Sequence, residues 1–228
     1  MTARPAVVVM AKAPWPGTVK TRLTALLGEA GCARLASVLL ARATATAREV
    51  CPSAAFVALH PPEAIAEVAS GLPGHQVFAQ RGRHLGERLA AATGEVFCAG
   101  YGPLVVIGTD VPLLAPADLR RAFEVLGTGC DVVFGPAYDG GYYLVGLALP
   151  LPVVFDIPPG LWGGPDVLGA SLDRARAARL SVGLLTPLPD LDTPSDVRAA
   201  LDEPTLPAEV REALRAPTPL ASVREESR

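Results

Sequence analysis

The sequence is poor in several residue types, and each scarcity argues against a class of protein. Only four cysteines occur in 228 residues, and no two of them form a CxxC pair. Neither a disulfide scaffold nor a cysteine-ligated zinc site is therefore expected. The three histidines are scattered along the chain, which argues against a His-rich zinc site. Strong positive charge is also absent, since the formal net charge is −3, whereas a non-specific nucleic-acid binder is usually basic.

Long hydrophobic runs are missing too, although 50% of the residues are apolar. Runs such as Ala6–Ala11 and Leu104–Ile107 are far shorter than the ~20 residues of a membrane helix. The N-terminus also lacks the apolar core of a signal peptide. We therefore expect a cytoplasmic protein that acts on neither membranes nor nucleic acid. The length suits a single nucleotide-binding domain over 1–215, followed by a flexible tail over 216–228, and a homodimer is one expected assembly.

Short apolar runs of β type alternate with helical patterns along the chain. Strand patterns cover Ala6–Ala11, Ala54–His60, Gln76–Ala79, Leu104–Gly108, Asp131–Phe134, Tyr142–Leu149 and Val182–Leu185. Helical patterns cover Glu29–Val50, Pro62–Ser70, Gly86–Cys98, Pro116–Leu126, Asp166–Arg179, Pro194–Leu201 and Pro207–Leu214. The alternation predicts an α/β fold with a mostly parallel, twisted sheet and helices on both faces. Ligands of such sheets bind beyond the carboxyl ends of the strands, here in the loops after Met10, Ile107 and Phe134.

The loop after the first strand, KAPWPGTVKTRL, concentrates positive charge. It holds both lysines of a chain that has eighteen arginines, and no acidic residue precedes Glu29. A bent, cationic loop that leads into a helix can bind phosphate through backbone N–H groups and ammonium charges. The alternative is an ordinary solvated loop. The candidate nucleotide-binding residues of this loop are Lys12, Gly17, Thr18, Lys20 and Arg22.

The segment VVIGTDVPLL places an acid where an apolar strand ends. Asp110 is the first aspartate of the chain, and it follows Gly108 and Thr109 directly after that strand. A carboxylate at this edge of the sheet is well placed to hold a hard divalent cation that bridges phosphate oxygens. An aspartate that only caps the following turn is the alternative. We predict a catalytic and metal-binding role for Asp110, with Thr109 beside the nucleotide.

Three further segments carry weaker signals. Asp139 lies in GPAYDGGYYLVGL, where it either contacts a sugar, an acceptor or a metal, or forms an Asp-Gly hairpin turn. Asp192 lies in PDLDTPSD, where it either binds a metal or caps the helix that begins at Pro194. The segment RGRHLGERL opens a helix with several arginines, and it either reads a nucleotide through Gly86 and Arg88 or is a solvated helix start.

Taken in order, KAPWPGTVKTRL, HLGERL, GTDVPLL, GPAYDGGYYLVGL and DLDTPSDV resemble a bacterial family of GT-A "glycosyltransferase" domains. That family was long described as a domain of unknown function and is often associated with radical-SAM/selenodomain proteins. It is similar to the nucleotide-diphospho-sugar transferase superfamily, whose members include phospholactate guanylyltransferases and MobA-like nucleotidyltransferases. The resemblance runs from about Val7 to Leu201.

The resemblance implies a Rossmann-like GT-A fold that binds a nucleotide with Mg²⁺ or Mn²⁺. It implies metal ligation by Asp110 and Asp192, and phosphate binding by the first loop. One departure is that the family often carries Trp-Ser-Thr where this chain reads Trp162-Gly163-Gly164, without the two hydroxyls.

Two transferase reactions are compatible with these features. We expect nucleotidyl transfer from an NTP to a small phosphorylated or acidic acceptor, because a cationic loop suits a triphosphate. In that reaction Lys20, Asp110 and Asp139 are the expected catalytic residues. Glycosyl transfer from an NDP-sugar is the alternative, and a non-catalytic nucleotide-binding module is a second alternative.

Overall fold

In the computed structural model of the chain, residues 4–215 are described, and they form an α/β fold. The strands are β1 (Ala6–Lys12), β2 (Ala55–His60), β3 (Gln76–Ala79), β4 (Leu104–Ile107), β5 (Val132–Pro136), β6 (Tyr142–Leu147) and β7 (Val182–Leu184). The α-helices are α1 (Thr24–Val50), α2 (Ile65–Ser70), α3 (Leu85–Cys98), α4 (Pro116–Gly127), α5 (Val167–Ala177), α6 (Pro194–Asp202) and α7 (Ala208–Arg215). Every predicted strand and helix is present, with shifts of a few residues at the ends. The predicted tail over 216–228 lies outside the described residues.

The seven strands form one sheet in the order β3-β2-β1-β4-β6-β5-β7. Strand β1 is parallel to both β2 and β4, and β5 is parallel to β7. Only β6 runs the other way, antiparallel to β4 and β5. The predicted mostly parallel α/β sheet is therefore confirmed. The loops after β1, β4 and β5 consequently meet at one edge of the sheet, and the start of β6 reaches the same edge.

The centre of the sheet is completely apolar. Residues Ala6–Ala11 of β1 and all of β4 are buried, as expected for strands covered on both faces. Helices α1 and α4 contact each other over one face, while α3 contacts β1 and β4 together with the short turn Pro152–Phe155. This rigid layer structure fixes the positions from which the first loop and Asp110 leave the sheet.

Helix α1 begins earlier than the sequence pattern predicts, at Thr24 rather than Glu29. The two parts meet at Gly28, whose backbone is not helical (φ 67°, ψ 167°), so the periodicity is interrupted there. By length and mean hydropathy, 21–50 also resembles a membrane span. In this structure, however, Leu35, Leu39 and Ala47 are buried within the protein.

A second, smaller core lies beside the main one and packs the first half of α1, with the turn before it, against the last part of the described chain from Leu191 onward. Its buried side chains are Leu23, Leu27, Cys32, Leu35, Leu39, Leu191, Val197, Leu206, Val210, Ala213 and Leu214. Leu191 is fully buried between two aspartates in sequence. This core therefore holds the end of the first loop close to the segment that carries Asp192.

Candidate functional site

Lys20 is held in a fixed position by its backbone. The residue adopts a left-handed conformation (φ 49°, ψ 37°) at the start of the short turn Thr21–Leu23. Its carbonyl accepts a hydrogen bond from the N–H of Leu23 at 2.8 Å and another from the Cys32 thiol at 3.3 Å. A positive φ is uncommon for a residue other than glycine and needs support from its surroundings. The backbone therefore directs the Lys20 side chain inward, where only 5% of it is exposed.

The Lys20 ammonium lies between the two predicted metal ligands. Its Nζ is 2.5 Å from Asp110 Oδ1 and 3.7 Å from Asp192 Oδ1, and it donates to the carbonyl of Leu191 at 2.6 Å. The Leu191 N–H in turn donates to the Asp110 carbonyl at 2.9 Å. The structure therefore brings together a lysine from the first loop, the aspartate after β4 and an aspartate from near the end of the chain.

Arg22 adds a second cation beside Asp192. Its Nη1 donates to Asp192 Oδ2 at 2.8 Å, and 64% of its side chain is exposed. In sequence the first-loop cations have no acidic neighbour, but in space Lys20 and Arg22 are each paired with a carboxylate. The pairing leaves this cluster close to neutral, because two cations face Asp110 and Asp192.

Asp192 is positioned by the start of α6. The Asp196 carboxylate accepts hydrogen bonds from the N–H groups of Asp192 at 3.0 Å and Thr193 at 2.7 Å. The Thr193 hydroxyl accepts from the Asp196 N–H at 3.4 Å, which completes a capping box. Thr193 is thus the N-cap of this helix. The Asp192 carboxylate takes no part in the cap and instead faces Lys20 and Arg22.

We expect Asp196→Ala to lower both stability and activity. Loss of the capping box should cost about 1 kcal/mol, which corresponds to roughly 2–4 °C in Tm for a chain of this size. Activity should fall further than stability explains, because Asp192 loses the hydrogen bond that fixes its backbone. Thermal unfolding and steady-state kinetics measure the two effects. The control is Asp202→Ala at the opposite end of α6, which should change neither Tm nor activity. Equal losses in both variants would contradict this role of Asp196.

The loop between β5 and β6 is a tight turn in which Asp139 has a local role. Its Oδ1 accepts a hydrogen bond from the Gly141 N–H at 2.8 Å, and Ala137 N–H donates to the Gly141 carbonyl at 3.0 Å. Gly140 has a positive φ of 91°, as expected at such a turn. Asp139 therefore does form part of an Asp-Gly turn, as one of the two sequence interpretations predicts. The same carboxylate also lines the cleft described next, so the predicted catalytic role of Asp139 stays a prediction.

A cleft of about 320 Å³ opens at this edge of the sheet. One part is charged and is lined by Arg22, Asp110, Asp139, Asp190 and Asp192. The other part is apolar and aromatic, and its lining includes Met10, Leu85, Leu89, Tyr142, Trp162 and Val167. A cleft with convergent polar groups beside an apolar wall is the usual form of a small-molecule site.

The sequence predictions left out Asp190 and Trp162 as site residues. Burial raises the pKa of the Asp190 carboxyl, and the negative charges of Asp139, Asp196 and Asp192 raise it further. In the sequence, the position of Asp190 two residues before Asp192 in an extended segment indicates that both side chains point the same way. Trp162 lies across the cleft, and its indole N–H is buried without a hydrogen-bond partner in the described part of the chain.

Gly86 lies under Trp162, which accounts for the absence of a side chain there. A Cβ atom at Gly86 would be 2.6 Å from the carbonyl oxygen of Phe155 and 2.7 Å from Trp162 Nε1. Close packing of α3 is therefore sufficient to require glycine at this position. Contact of Gly86 with a nucleotide remains a prediction.

The other predicted nucleotide-binding residues lie at the end of β1 and in the loop after it, on α3, and shortly after β4. Lys12 pairs with His60 across β1 and β2. Burial and the nearby cations of Arg88 and Lys12 lower the pKa of His60, and Glu63 opposes them. Arg88 Nε donates to the Gly82 carbonyl at 3.1 Å. Three predicted residues remain. Gly17 has a positive φ of 77°, and the Thr18 hydroxyl donates to the Trp15 carbonyl at 2.8 Å. Thr109 is half-buried.

The donor set at Lys20 fits a hard divalent cation. Within residues 4–215, no three His, Cys, Asp or Glu side chains gather closely enough to hold a metal ion alone. Mg²⁺, however, is commonly bound through one or two carboxylates together with phosphate oxygens of the substrate. Asp110 and Asp192 supply such a pair, since both carboxylates approach the same ammonium group.

Comparison with known proteins identifies relatives along most of the chain. The family model described as "Uncharacterized protein conserved in bacteria (DUF2064)" matches residues 39–159. Phosphoenolpyruvate guanylyltransferase of Rubrobacter xylanophilus is 30% identical over 179 residues, which make up 78% of this chain and 85% of that protein.

Solved structures extend the likeness to the whole fold. A candidate nucleotide-diphospho-sugar transferase from Desulfovibrio desulfuricans G20 has a TM-score of 0.83 and 30% identity, and the match covers 94% of this chain and 95% of that one. Rv0371C from Mycobacterium tuberculosis H37Rv, solved in complex with manganese, has a TM-score of 0.55 and 21% identity, with coverage of 89% and 100%. The latter likeness concerns the fold alone.

Proposed function

Because this chain belongs to the bacterial DUF2064 family and is a transferase of the nucleotidyl or nucleotide-sugar type, we propose that it transfers a nucleotidyl group. The donor is a nucleoside triphosphate, the acceptor is a small phosphorylated or acidic molecule, and pyrophosphate is released. The observation that carries the proposal is the position of the Lys20 ammonium between Asp110 and Asp192 at the ligand-binding edge of the sheet. The relative named as a guanylyltransferase supports the same reaction.

The cationic residues of the chain would bind and orient the triphosphate. Lys20 and Arg22 would contact the reacting phosphate from the carboxylate cluster, and Lys12 and Arg88, which lie near His60, would contact the rest of the nucleotide. Fixed positive charges stabilise the negative charge that develops on the departing pyrophosphate as the bond between the α- and β-phosphates breaks, without reorganising during the reaction. Asp110 and Asp192 would hold Mg²⁺ or Mn²⁺, and the bound cation would neutralise charge on the phosphate oxygens.

The acceptor would occupy the part of the cleft between Asp139 and Trp162. An acidic acceptor meets several carboxylates there, among them Asp110, Asp139 and Asp190. Its negative charge therefore has to be compensated by Arg22 and by the bound cation. This arrangement predicts that acceptor binding requires a divalent cation.

Glycosyl transfer from an NDP-sugar is the second candidate function. It is favoured by the Desulfovibrio desulfuricans structure, whose name is that of a nucleotide-diphospho-sugar transferase. In that reaction the diphosphate would remain on the nucleotide as the leaving group. The same cations would then stabilise it.

One assay separates the two reactions. The purified chain is incubated with each of the four common ribonucleoside triphosphates or with a panel of NDP-sugars. Each donor is tested with a panel of phosphorylated acids, phosphoenolpyruvate among them, with and without Mg²⁺ or Mn²⁺. Pyrophosphate release that depends on both acceptor and metal supports nucleotidyl transfer. Release of a nucleoside diphosphate from an NDP-sugar, with no pyrophosphate from any triphosphate, would instead support glycosyl transfer.

A further inference from the structure

The Lys20 ammonium lies where a divalent cation would have to bind. Three oxygen atoms surround its Nζ, namely Asp110 Oδ1 at 2.5 Å, the Leu191 carbonyl at 2.6 Å and Asp192 Oδ1 at 3.7 Å. The side chain is 5% exposed, and its backbone is fixed in a left-handed conformation. The chain therefore supplies its own cation to the carboxylates in the absence of ligand.

We propose that Lys20 is an internal counter-ion that keeps the site closed to free divalent cations until a nucleotide binds. The metal then enters together with the nucleotide and not before it. This inference rests on the metal site of the proposed function, but it concerns the order in which ligands bind rather than the reaction. Lys20 acts here as a positioning residue for the metal ligands.

Competition between ammonium and metal follows from distance and charge. A Mg²⁺ or Mn²⁺ ion binds carboxylate oxygens at about 2.0–2.2 Å, so an ion shared by Asp110 and Asp192 comes within a few ångströms of the Lys20 Nζ. Two cations at that separation repel each other, and the repulsion is strong where little water enters. Arg22 adds to the effect, because its guanidinium already donates to Asp192 Oδ2 at 2.8 Å.

A triphosphate removes this conflict because it brings new anionic oxygens. The Lys20 ammonium can donate to a phosphate oxygen instead of to Asp110, which leaves the carboxylate oxygens to the metal. The added negative charge also offsets the repulsion between the two cations. Nucleotide and metal therefore bind with positive coupling, and each increases the affinity for the other.

The sequence offers a matched control for testing this inference, because the chain contains only two lysines, Lys12 and Lys20. Free Mn²⁺ is titrated into the full chain without nucleotide, and unbound Mn²⁺ is measured by electron paramagnetic resonance. Lys20→Met should bind Mn²⁺ at least tenfold more tightly than the unmodified chain. Lys12→Met removes the same charge from a position outside the carboxylate cluster and should change the affinity less than twofold.

Two outcomes of the titration would overturn the proposal. One is a folded Lys20→Met variant that binds Mn²⁺ no more tightly than the unmodified chain. The other is an equal gain in Lys12→Met, which would reflect overall charge rather than the position of Lys20. The double variant Lys20→Met/Asp110→Asn should lose the gain, and its retention would show that the metal binds elsewhere.

A second measurement is made on the unmodified chain and does not depend on the folding of Lys20→Met. Labelling with ¹³C,¹⁵N-lysine gives signals from two residues only, and Lys12→Met assigns them. Free Mn²⁺ should leave the Lys20 side-chain signal sharp, and Mn²⁺ added with a non-hydrolysable triphosphate should broaden it. Broadening by Mn²⁺ alone at the same concentration would contradict the proposal. Neither measurement uses turnover, so failure of the transfer assay alone refutes the proposed function and leaves this inference standing.

Discussion

Asp110→Asn is expected to reduce transferase activity by at least about 10²-fold while leaving the fold intact. The asparagine keeps the shape of the side chain, but it removes the negative charge that faces the Lys20 ammonium at 2.5 Å. The carboxylate is 58% exposed, and the buried Lys20 ammonium keeps its contacts with the Leu191 carbonyl and Asp192. The substitution should therefore change the free energy of unfolding by less than about 1 kcal/mol. Steady-state kinetics and thermal unfolding measure the two quantities on the same preparation.

The control for this variant is Asp173→Asn on helix α5. Asp173 pairs with Arg176 at 2.9 Å on the surface, and 75% of its side chain is exposed. The same change of charge should leave the activity unaltered, because Asp173 does not line the cleft. Full activity in Asp110→Asn would refute the assignment of the metal and phosphate site to this part of the chain.

Gly140→Ala is expected to have the largest effect on stability. Gly140 has a φ of 91°, and an added Cβ would lie 2.0 Å from the carbonyl oxygen of Pro165. Because this neighbour is backbone, the loop has to move away from the segment that carries Trp162. The strained backbone alone should cost about 1–3 kcal/mol, which corresponds to a fall in Tm of roughly 2–12 °C, and the contact with Pro165 should add to it. Differential scanning calorimetry measures the shift, and activity should fall as the cleft opens.

The neighbouring glycine provides a matched control for this substitution. Gly141 has no positive φ, and a Cβ there would meet only the flexible Asp139 carboxylate, at 3.2 Å. Gly141→Ala should therefore retain most of the stability of the unmodified chain. If the two variants unfold at the same temperature, the close approach of Gly140 to Pro165 is not what holds this loop in place.

The sequence predicts those parts of the molecule that depend on local pattern. The apolar runs of β1 and β4 predict central strands, and the position of Asp110 directly after β4 predicts its place at the ligand edge. The helix that follows Thr193 is equally visible, since Thr-Pro-Ser-Asp is a typical helix start. The order of the motifs carries the family resemblance, and the relatives confirm it.

The contacts that complete the site depend on residues far apart in sequence, and a local pattern cannot predict them. Lys20 and Asp110 are 90 positions apart, and Arg22 and Asp192 are 170 positions apart. The pairing of the first-loop cations with aspartates, and the separation of Lys12 from Lys20, follow only from the topology of the sheet. The fit of Trp162 over Gly86 is likewise a matter of packing between two segments. The kink at Gly28 hides the start of α1, because it shifts the hydrophobic period there.

The small core beside the sheet has a consequence for the biosynthesis of the protein. A nascent chain that has left the ribosome only through β7 contains all seven strands, but it still lacks Asp192 and helix α7. Lys20 then has no Leu191 carbonyl to bind, and the apolar residues at the start of α1 have no cover. Translation therefore completes the strands of the sheet first and the carboxylate cluster last.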